Sequence, residues 1–282
     1  MADPFTLYLC DLFFGFPDNV HSSSTGYSTA PKVLNGDPTD LWQPGATTAS
    51  IIIGTTGAYT VKAFGVAGHN LKGRNVEIFH GAAATGPWGS FGSLTGIPTP
   101  DAFLVTCGSG ASNNWFKLTF SGGATAIEIG VISLLGNYGY DADGDLNVAA
   151  GGIIQLKNEA SQGVPLPIGR GLMTAESRTY TPGNIPQVIS NGQACQRFDL
   201  SVDVLRGGDD YEWWRVVRSY EEKRNYRWTN RGWHKGVWLT TDQYTVAMPR
   251  AYYCIPEAPP AWAVTRKGGR ITGQLSLVAL PE

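Results

Sequence analysis

The sequence predicts an all-β protein with one main helix, arranged as two modules. Three observations carry this expectation. Across residues 1–160, short apolar or alternating runs recur between glycine-marked turns, the spacing of a sandwich or barrel. Only one stretch, about Asp210–Lys223, carries its apolar residues at clear helical spacing. Charge also divides the chain: residues 1–160 hold 6 Lys/Arg against 12 Asp/Glu, a net of −6, and residues 161–282 hold 15 against 11, a net of +4.

The elements follow in order. Strands are expected at Ser50–Ile53, Tyr59–Val66, Asn75–Phe79, Ala102–Thr106, Trp115–Phe120 and Ala126–Leu135. Gly54–Gly57, Ala67–Gly73, Gly81–Ser93 and Ser121–Gly123 read as the turns between them. Residues 137–194 are polar, Gly-rich and interrupted by prolines, and read as a connecting region, with the module boundary near 160–170. Arg197–Leu205 alternates, with Phe198, Leu200, Val202 and Val204 on one face. Gly207 and Gly208 end that run, and Asp209 with Glu212 forms a capping-box-like start for the helix, whose buried stripe is Trp213, Val216, Val217 and Tyr220. Strands are expected again at Gly236–Thr241, Tyr244–Met248, Ala251–Ile255, Ala261–Arg266 and Arg270–Leu280, the last two joined through Gly268–Gly269 as a hairpin. The domains are therefore read as 1–160 and 161–282.

Composition bounds the function. Charged residues make up 16% of the chain, below the roughly 25% of ordinary globular proteins, which argues against disorder or a long coiled coil. A net charge of −2 gives no global attraction for nucleic acid or anionic lipid. Cys10, Cys107, Cys195 and Cys254 are widely spaced, with no CxxC and no Cys/His metal spacing. The opening residues, with Asp3 and Asp11 and no basic stretch, do not read as a signal peptide, and no apolar run is long enough for a membrane span.

Motifs for chemistry are sparse. There is no GxSxG, no P-loop and no HExxH, so the chain is read as non-catalytic. A glycan-degrading enzyme built from two acids on distant loops would leave no local motif, and that alternative stays open at this stage. Asp141, Asp143, Asp145 and Asn147 place oxygen ligands at alternate positions, which suits a hard cation such as Ca²⁺; a solvated polar turn is the competing reading, because Gly144 and Gly152 break the EF-hand pattern. His69, after an apolar run, is either a ligand contact at a strand end or a hydrogen-bonded turn residue. Trp88, in a Gly-rich loop, is either a stacking platform for a sugar or a buried loop anchor. The basic, aromatic run that contains Arg224, Tyr226, Arg227, Trp228 and Trp233 is read as a protein interface or a packed loop in preference to a nucleic-acid site.

Specific residues then carry a family resemblance. Leu34-Asn35-Gly36-Asp37-Pro38-Thr39-Asp40-Leu41-Trp42 resembles the DGDPxTxW opening of discoidin-like (galactose-binding-like) jelly rolls. Ala67-Gly68-His69-Asn70-Leu71 is similar to the AGHNL of phage-borne members, and Trp115–Phe120 with Ile127–Ile132 resembles their closing strands. This covers about residues 25–136. The whole arrangement resembles tail proteins of long-tailed bacteriophages, in which a discoidin-like jelly-roll sandwich precedes a tail-tube-like β-sandwich flanked by a helix. The resemblance implies a virion structural protein of the tail tip (distal tail or baseplate ring), assembled in the host bacterial cytoplasm. It implies a ring with itself, hexameric, contacts with neighbouring tail-tube and tail-tip proteins, and an outward jelly roll that meets host surface glycan. A receptor- or glycan-binding minor tail protein is the alternative. Family members that hold Ca²⁺ use acids and backbone oxygens of the opening loop and a Glu near the closing strand; Asp37 and Thr39 match part of that loop, and Val131 stands where the Glu would be.

Overall fold

A computed structural model describes residues 5–8, 20–98 and 102–136, and beyond them the strand segments 139–140, 146–147, 153–156, 168–173, 176–180, 186–190, 195–205, 237–240, 251–256, 261–265 and 270–279. In chain order the strands are β1 (Phe5–Tyr8), β2 (Val20–Ser23), β3 (Ala49–His69), β4 (Asn75–Gly81), β5 (Gly89–Leu94), β6 (Phe103–Ser121), β7 (Ile129–Gly136), β8 (Gly139–Tyr140) and β9 (Leu146–Asn147). They continue as β10 (Ile153–Leu156), β11 (Ile168–Met173), β12 (Glu176–Tyr180), β13 (Pro186–Ser190), β14 (Cys195–Leu205), β15 (Val237–Thr240), β16 (Ala251–Pro256), β17 (Ala261–Thr265) and β18 (Arg270–Ala279). The fold is nearly all β, as the hydrophobic patterning predicts.

The N-terminal half is a jelly-roll sandwich built around two long strands. The first part of β3 pairs with the last part of β6, and with β2, β4 and β5 this makes one sheet. The second part of β3 lies between the first part of β6 and β7. The register slips between Gly54 and Tyr59 and again between Val61 and Ala63, so the strands pass from one pairing to the next through bulges, which add twist and bend. Between the layers lies a core of Ile51, Ile53, Phe64, Phe91, Phe116, Leu118 and Phe120 with their neighbours. Phe64 meets Phe91 and Phe116 edge-on, at centroid distances of 5.0 and 5.3 Å, the arrangement that the ring quadrupole favours.

Several boundaries differ from those expected. The runs 50–53 and 59–66 are one strand, and so are 102–106 and 115–120, because the glycines between them bend a strand that continues. Strand β5 lies where Gly81–Ser93 reads as a turn; its Gly/Ser-rich sequence has weak strand preference and is held by pairing with β4. A 3-10 segment at Tyr27–Leu34 buries Ala30, Val33 and Leu34 and is the helical element among the described residues. The expected helix at 210–223 and the strand at 244–248 lie outside them.

The second sheet has eight antiparallel strands in the order β10-β1-β15-β16-β18-β14-β11, with β17 also paired to β18. It draws β1 and β10 from before residue 160 and also recruits β11, so the low-pattern region 137–194 supplies strands to it. The alternation of β14 is as expected: Phe198 and Leu200 are buried, and Asp199 between them is exposed. Strands β17 and β18 pair antiparallel from Thr265↔Arg270 outward, so four residues separate them where a two-residue Gly268–Gly269 turn would pair Lys267 with Arg270; residues 266–269 lie outside the described residues.

The two halves meet in a second apolar cluster. Ala63 and Ala67 of β3, Ala102 and Leu104, and Val131 and Leu135 of β7 pack against Trp238, Ala251 and Tyr253 of the second sheet. Trp238 and Tyr253 meet at a centroid distance of 5.1 Å, their rings tilted by 49°. A Cβ on Gly65 would collide with the six-membered ring of Trp238, so the missing side chain admits the indole.

Candidate functional site

At one end of the β2-β3-β6-β4-β5 sheet, Gly54, Trp115 and Gly81 stand side by side on β3, β6 and β4. Phe116, Leu118 and Phe120 point into the core, so by the two-residue period of a strand Trp115 points out. Its ring lies against Gly54, where a Cβ would come within 2.6 Å of it. Trp88 closes the other side: it lies over Gly81, at 3.2 Å from where a Cβ would be. Both indoles are half-buried. The next row along the same face is Ile52, Lys117 and Phe79. The result is a ledge of flat apolar surface floored by two glycines.

A polar pair lies near the same end of β4, but His80 pairs with the core-facing Phe116 and so stands on the opposite face of the sheet from Trp115. His80, next to Gly81, meets Asn113 through its Nδ1. Nε2 lies on the side of Gly89, 3.1 Å from where a Cβ would be. The ledge therefore presents two indoles, with Lys117 in the next row of the same face. Rings with a few oriented polar groups are the usual makeup of a small-ligand site.

Among the residues singled out by sequence, Trp88 belongs to this ledge and His69 does not. Strand β4 runs from Asn75 to Gly81, about 20 Å at strand rise, and His69 lies before its start while Trp88 lies beyond its end. There His69 Nδ1 accepts the Leu71 N–H at 3.1 Å, and the ring meets Phe103 edge-on at 5.0 Å. The same end is pinned by Arg74, which is buried and donates to the carbonyls of Thr47 and Thr125. Asp141, Asp143 and Asp145, and Arg224, Tyr226, Arg227, Trp228 and Trp233, lie outside the described residues. Of Asn147 only the backbone is described, paired with Gly139. Trp115, His80 and Asn113 were missed by the sequence reading. The outward face of Trp115 is implicit in the alternation of 116, 118 and 120, whereas His80 and Asn113 meet across 33 residues and leave no local signal.

The opening loop permits a test of the Ca²⁺ that the family resemblance implies. Asp37 Oδ1 already accepts from the Thr39 N–H at 2.8 Å and the Thr39 hydroxyl at 2.7 Å. Asn35 Oδ1 accepts the Asp37 N–H, and Asn35 Nδ2 donates to Asp40 Oδ2, both at 2.7 Å. The ammonium of Lys32 sits 2.7 Å from Asp40 Oδ1. Val131, in the position of the family's Glu, is buried in the apolar cluster between the halves. Ca²⁺ requires six to eight oxygens; here the loop oxygens are committed to one another, a cation already sits at Asp40, and the Glu is replaced by a hydrocarbon. The residues present do not fit the ion.

No protein-family model matches the chain, and no curated protein does. Solved structures similar to it cover less than half of the chain. The family 32 carbohydrate-binding module of Clostridium perfringens NanJ, in complex with galactose, is 15% identical over 47% of this chain and 99% of that one, with a TM-score of 0.38. A chitosan-binding module from a Paenibacillus chitosanase/glucanase is 13% identical over 45% and 99%, at 0.38. Reduced XRCC1, bound to the DNA pol beta catalytic domain, is 16% identical over 41% and 93%, at 0.34. At these identities and TM-scores the likenesses carry nothing about this chain's family, ligands or role. No helix among the described residues is long and apolar enough to cross a membrane.

Proposed function

We propose that this chain is a non-catalytic binding protein whose jelly roll takes a saccharide on the Trp88–Trp115 ledge. The observation that carries the reading is the pair of half-buried indoles, Trp88 and Trp115, set over Gly81 and Gly54 on one outward sheet face. A sugar ring has one face rich in C–H, which lies on an indole as other apolar groups do, while its rim of hydroxyls needs oriented donors and acceptors. The ledge supplies that flat surface, and Lys117 in the next row of the same face supplies a hydrogen-bond donor. Glycan-array screening followed by calorimetry tests this: the full chain binds a discrete set of glycans, and Trp88→Ala or Trp115→Ala each lowers affinity about tenfold, the scale of one lost aromatic contact. An array with no bound glycan, or binding that survives both substitutions, overturns it.

The tail-tip role is a second reading, favoured by the edges of the second sheet. Among the described residues β10 and β11 each pair on one side only, and an open edge is where another chain adds a strand. On this reading the second half joins copies of the chain into a closed ring, by a head-to-tail contact whose rotation closes, and the jelly roll faces host surface glycan. Negative-stain imaging of the purified chain then shows rings; a monomer at every concentration, alone and with tail-tube protein added, refutes the ring.

A further inference from the structure

We infer that the opening loop of the jelly roll is held by the second sheet in place of a cation, so that Tyr253 is a positioning residue for residues 35–40. Three contacts carry the inference. The Tyr253 hydroxyl, on β16, donates to the Gly36 carbonyl at 3.0 Å in a buried setting. That carbonyl is a backbone oxygen of the loop whose side chains are bonded to one another, and its partner lies 217 residues away in sequence. The loop is also seated from below: the Pro38 carbonyl lies over Gly68 of β3 and Gly130 of β7, where any Cβ would collide with it. Thus β3 and β7 lie under the loop and Tyr253 ties it, while Trp238, in contact with the Tyr253 ring, fills the space over Gly65.

The chemistry is consistent at each position. A divalent ion organises a loop by collecting its carbonyl and carboxylate oxygens. Here a phenol takes the carbonyl, Lys32 takes a carboxylate oxygen of Asp40, and Thr39 takes Asp37. Val131 faces the same apolar cluster as Tyr253; a carboxylate in its place would be buried without water, at high cost. Exchanging the Glu for Val and bringing in Tyr253 are two parts of one arrangement. It follows that the jelly roll takes its loop geometry from the rest of the chain and does not depend on calcium.

Thermal unfolding of the full chain in millimolar CaCl₂ and in EDTA tests this, together with amide hydrogen exchange. The expected melting temperatures agree within about 1 °C, since an ion that binds only the folded state would raise the value in CaCl₂. Tyr253→Phe keeps the ring and removes the donor; it lowers the melting temperature by about 2–6 °C, the scale of one buried carbonyl left unpaired in a chain of this size, and speeds exchange at residues 35–40. A rise of several degrees in CaCl₂ overturns the inference, as does unchanged exchange at 35–40 in Tyr253→Phe. The calcium comparison on the unaltered chain decides the question even where the variant folds poorly.

Discussion

Strand β3 carries two glycines beneath tryptophan rings, and the rings end in different surroundings. Trp238 over Gly65 is 1% exposed and is enclosed by Ala63, Ala67, Leu135 and Tyr253. Trp115 over Gly54 is half-buried, with Trp88 across Gly81 and solvent beyond. Locally the device is the same: removing a side chain from the strand lets an indole lie flat on the backbone. The difference lies in what the second sheet covers. Where it docks, the ring becomes part of a joint, and its area is removed from water. Where it does not, the ring keeps an open face, and that face is available to a ligand. One motif thus serves cohesion in one place and recognition in the other.

The comparison breaks hardest at the joint. Trp238→Ala removes the largest side chain of that cluster and leaves a cavity between the halves. A cost of about 3–5 kcal/mol is expected in denaturant unfolding, with loss of coincidence between near-UV and far-UV probes if the halves then unfold separately. Saccharide affinity of the fraction that remains folded stays unchanged. A cost below about 1 kcal/mol would mean that the joint contributes little.

A matched pair of smaller changes sharpens the contrast. Gly65→Ala and Gly54→Ala add the same methyl group, each into an indole. At Gly65 the enclosed ring has nowhere to go, and overpacking costs about 1–3 kcal/mol. At Gly54 the half-buried ring of Trp115 swings outward, so stability falls by less than about 1 kcal/mol, while saccharide affinity falls as the ledge loses its floor. Equal effects on stability, measured by urea unfolding, would remove the distinction between joint and ledge.

These two regions also show how far the sequence reaches. The strands of the jelly roll were legible because their neighbours in the pattern are local: Phe116, Leu118 and Phe120 declare their own face, as do Phe198 and Leu200. Continuity of β3 and β6 was not, since Gly54–Gly57 and the glycines around Ser109 carry the signature of turns and act as bends. Trp88 was legible as an aromatic in a Gly-rich loop. Its partner was not: Trp115 reaches it only through the register Gly81↔Trp115, just as Asn113 reaches His80 only through the same long-range pairing. The joint was least legible of all. Trp238 and Tyr253 look like ordinary strand residues, and nothing near them in sequence announces that they cover β3 and β7. Contacts of this kind depend on how sheets pack, and that information is spread over the whole chain.

The weakest expected effect lies on the wet face of the second sheet. Asp199 of β14 points to solvent opposite Ser276 of β18, whose hydroxyl donates to it at 2.6 Å, with Arg197 Nε 3.1 Å away. The Ser276 hydrogen bond holds the carboxyl below its ordinary value against the opposing effect of burial, with a lesser contribution from Arg197. A carboxylate with a depressed folded-state value adds stability above the ordinary carboxylate range and loses it as the pH falls through the folded-state value. Ser276→Ala therefore raises the Asp199 titration toward the ordinary range, read by NMR of its side-chain carbon, and trims stability slightly at neutral pH while leaving it unchanged at the acid end. With both partners exposed to solvent, screening keeps the effect small, and added salt shrinks the part that Arg197 supplies. A large loss of stability in Ser276→Ala would show that this face is covered in the working molecule, as Trp238 is, and would move Asp199 from the open side of the comparison to the closed one.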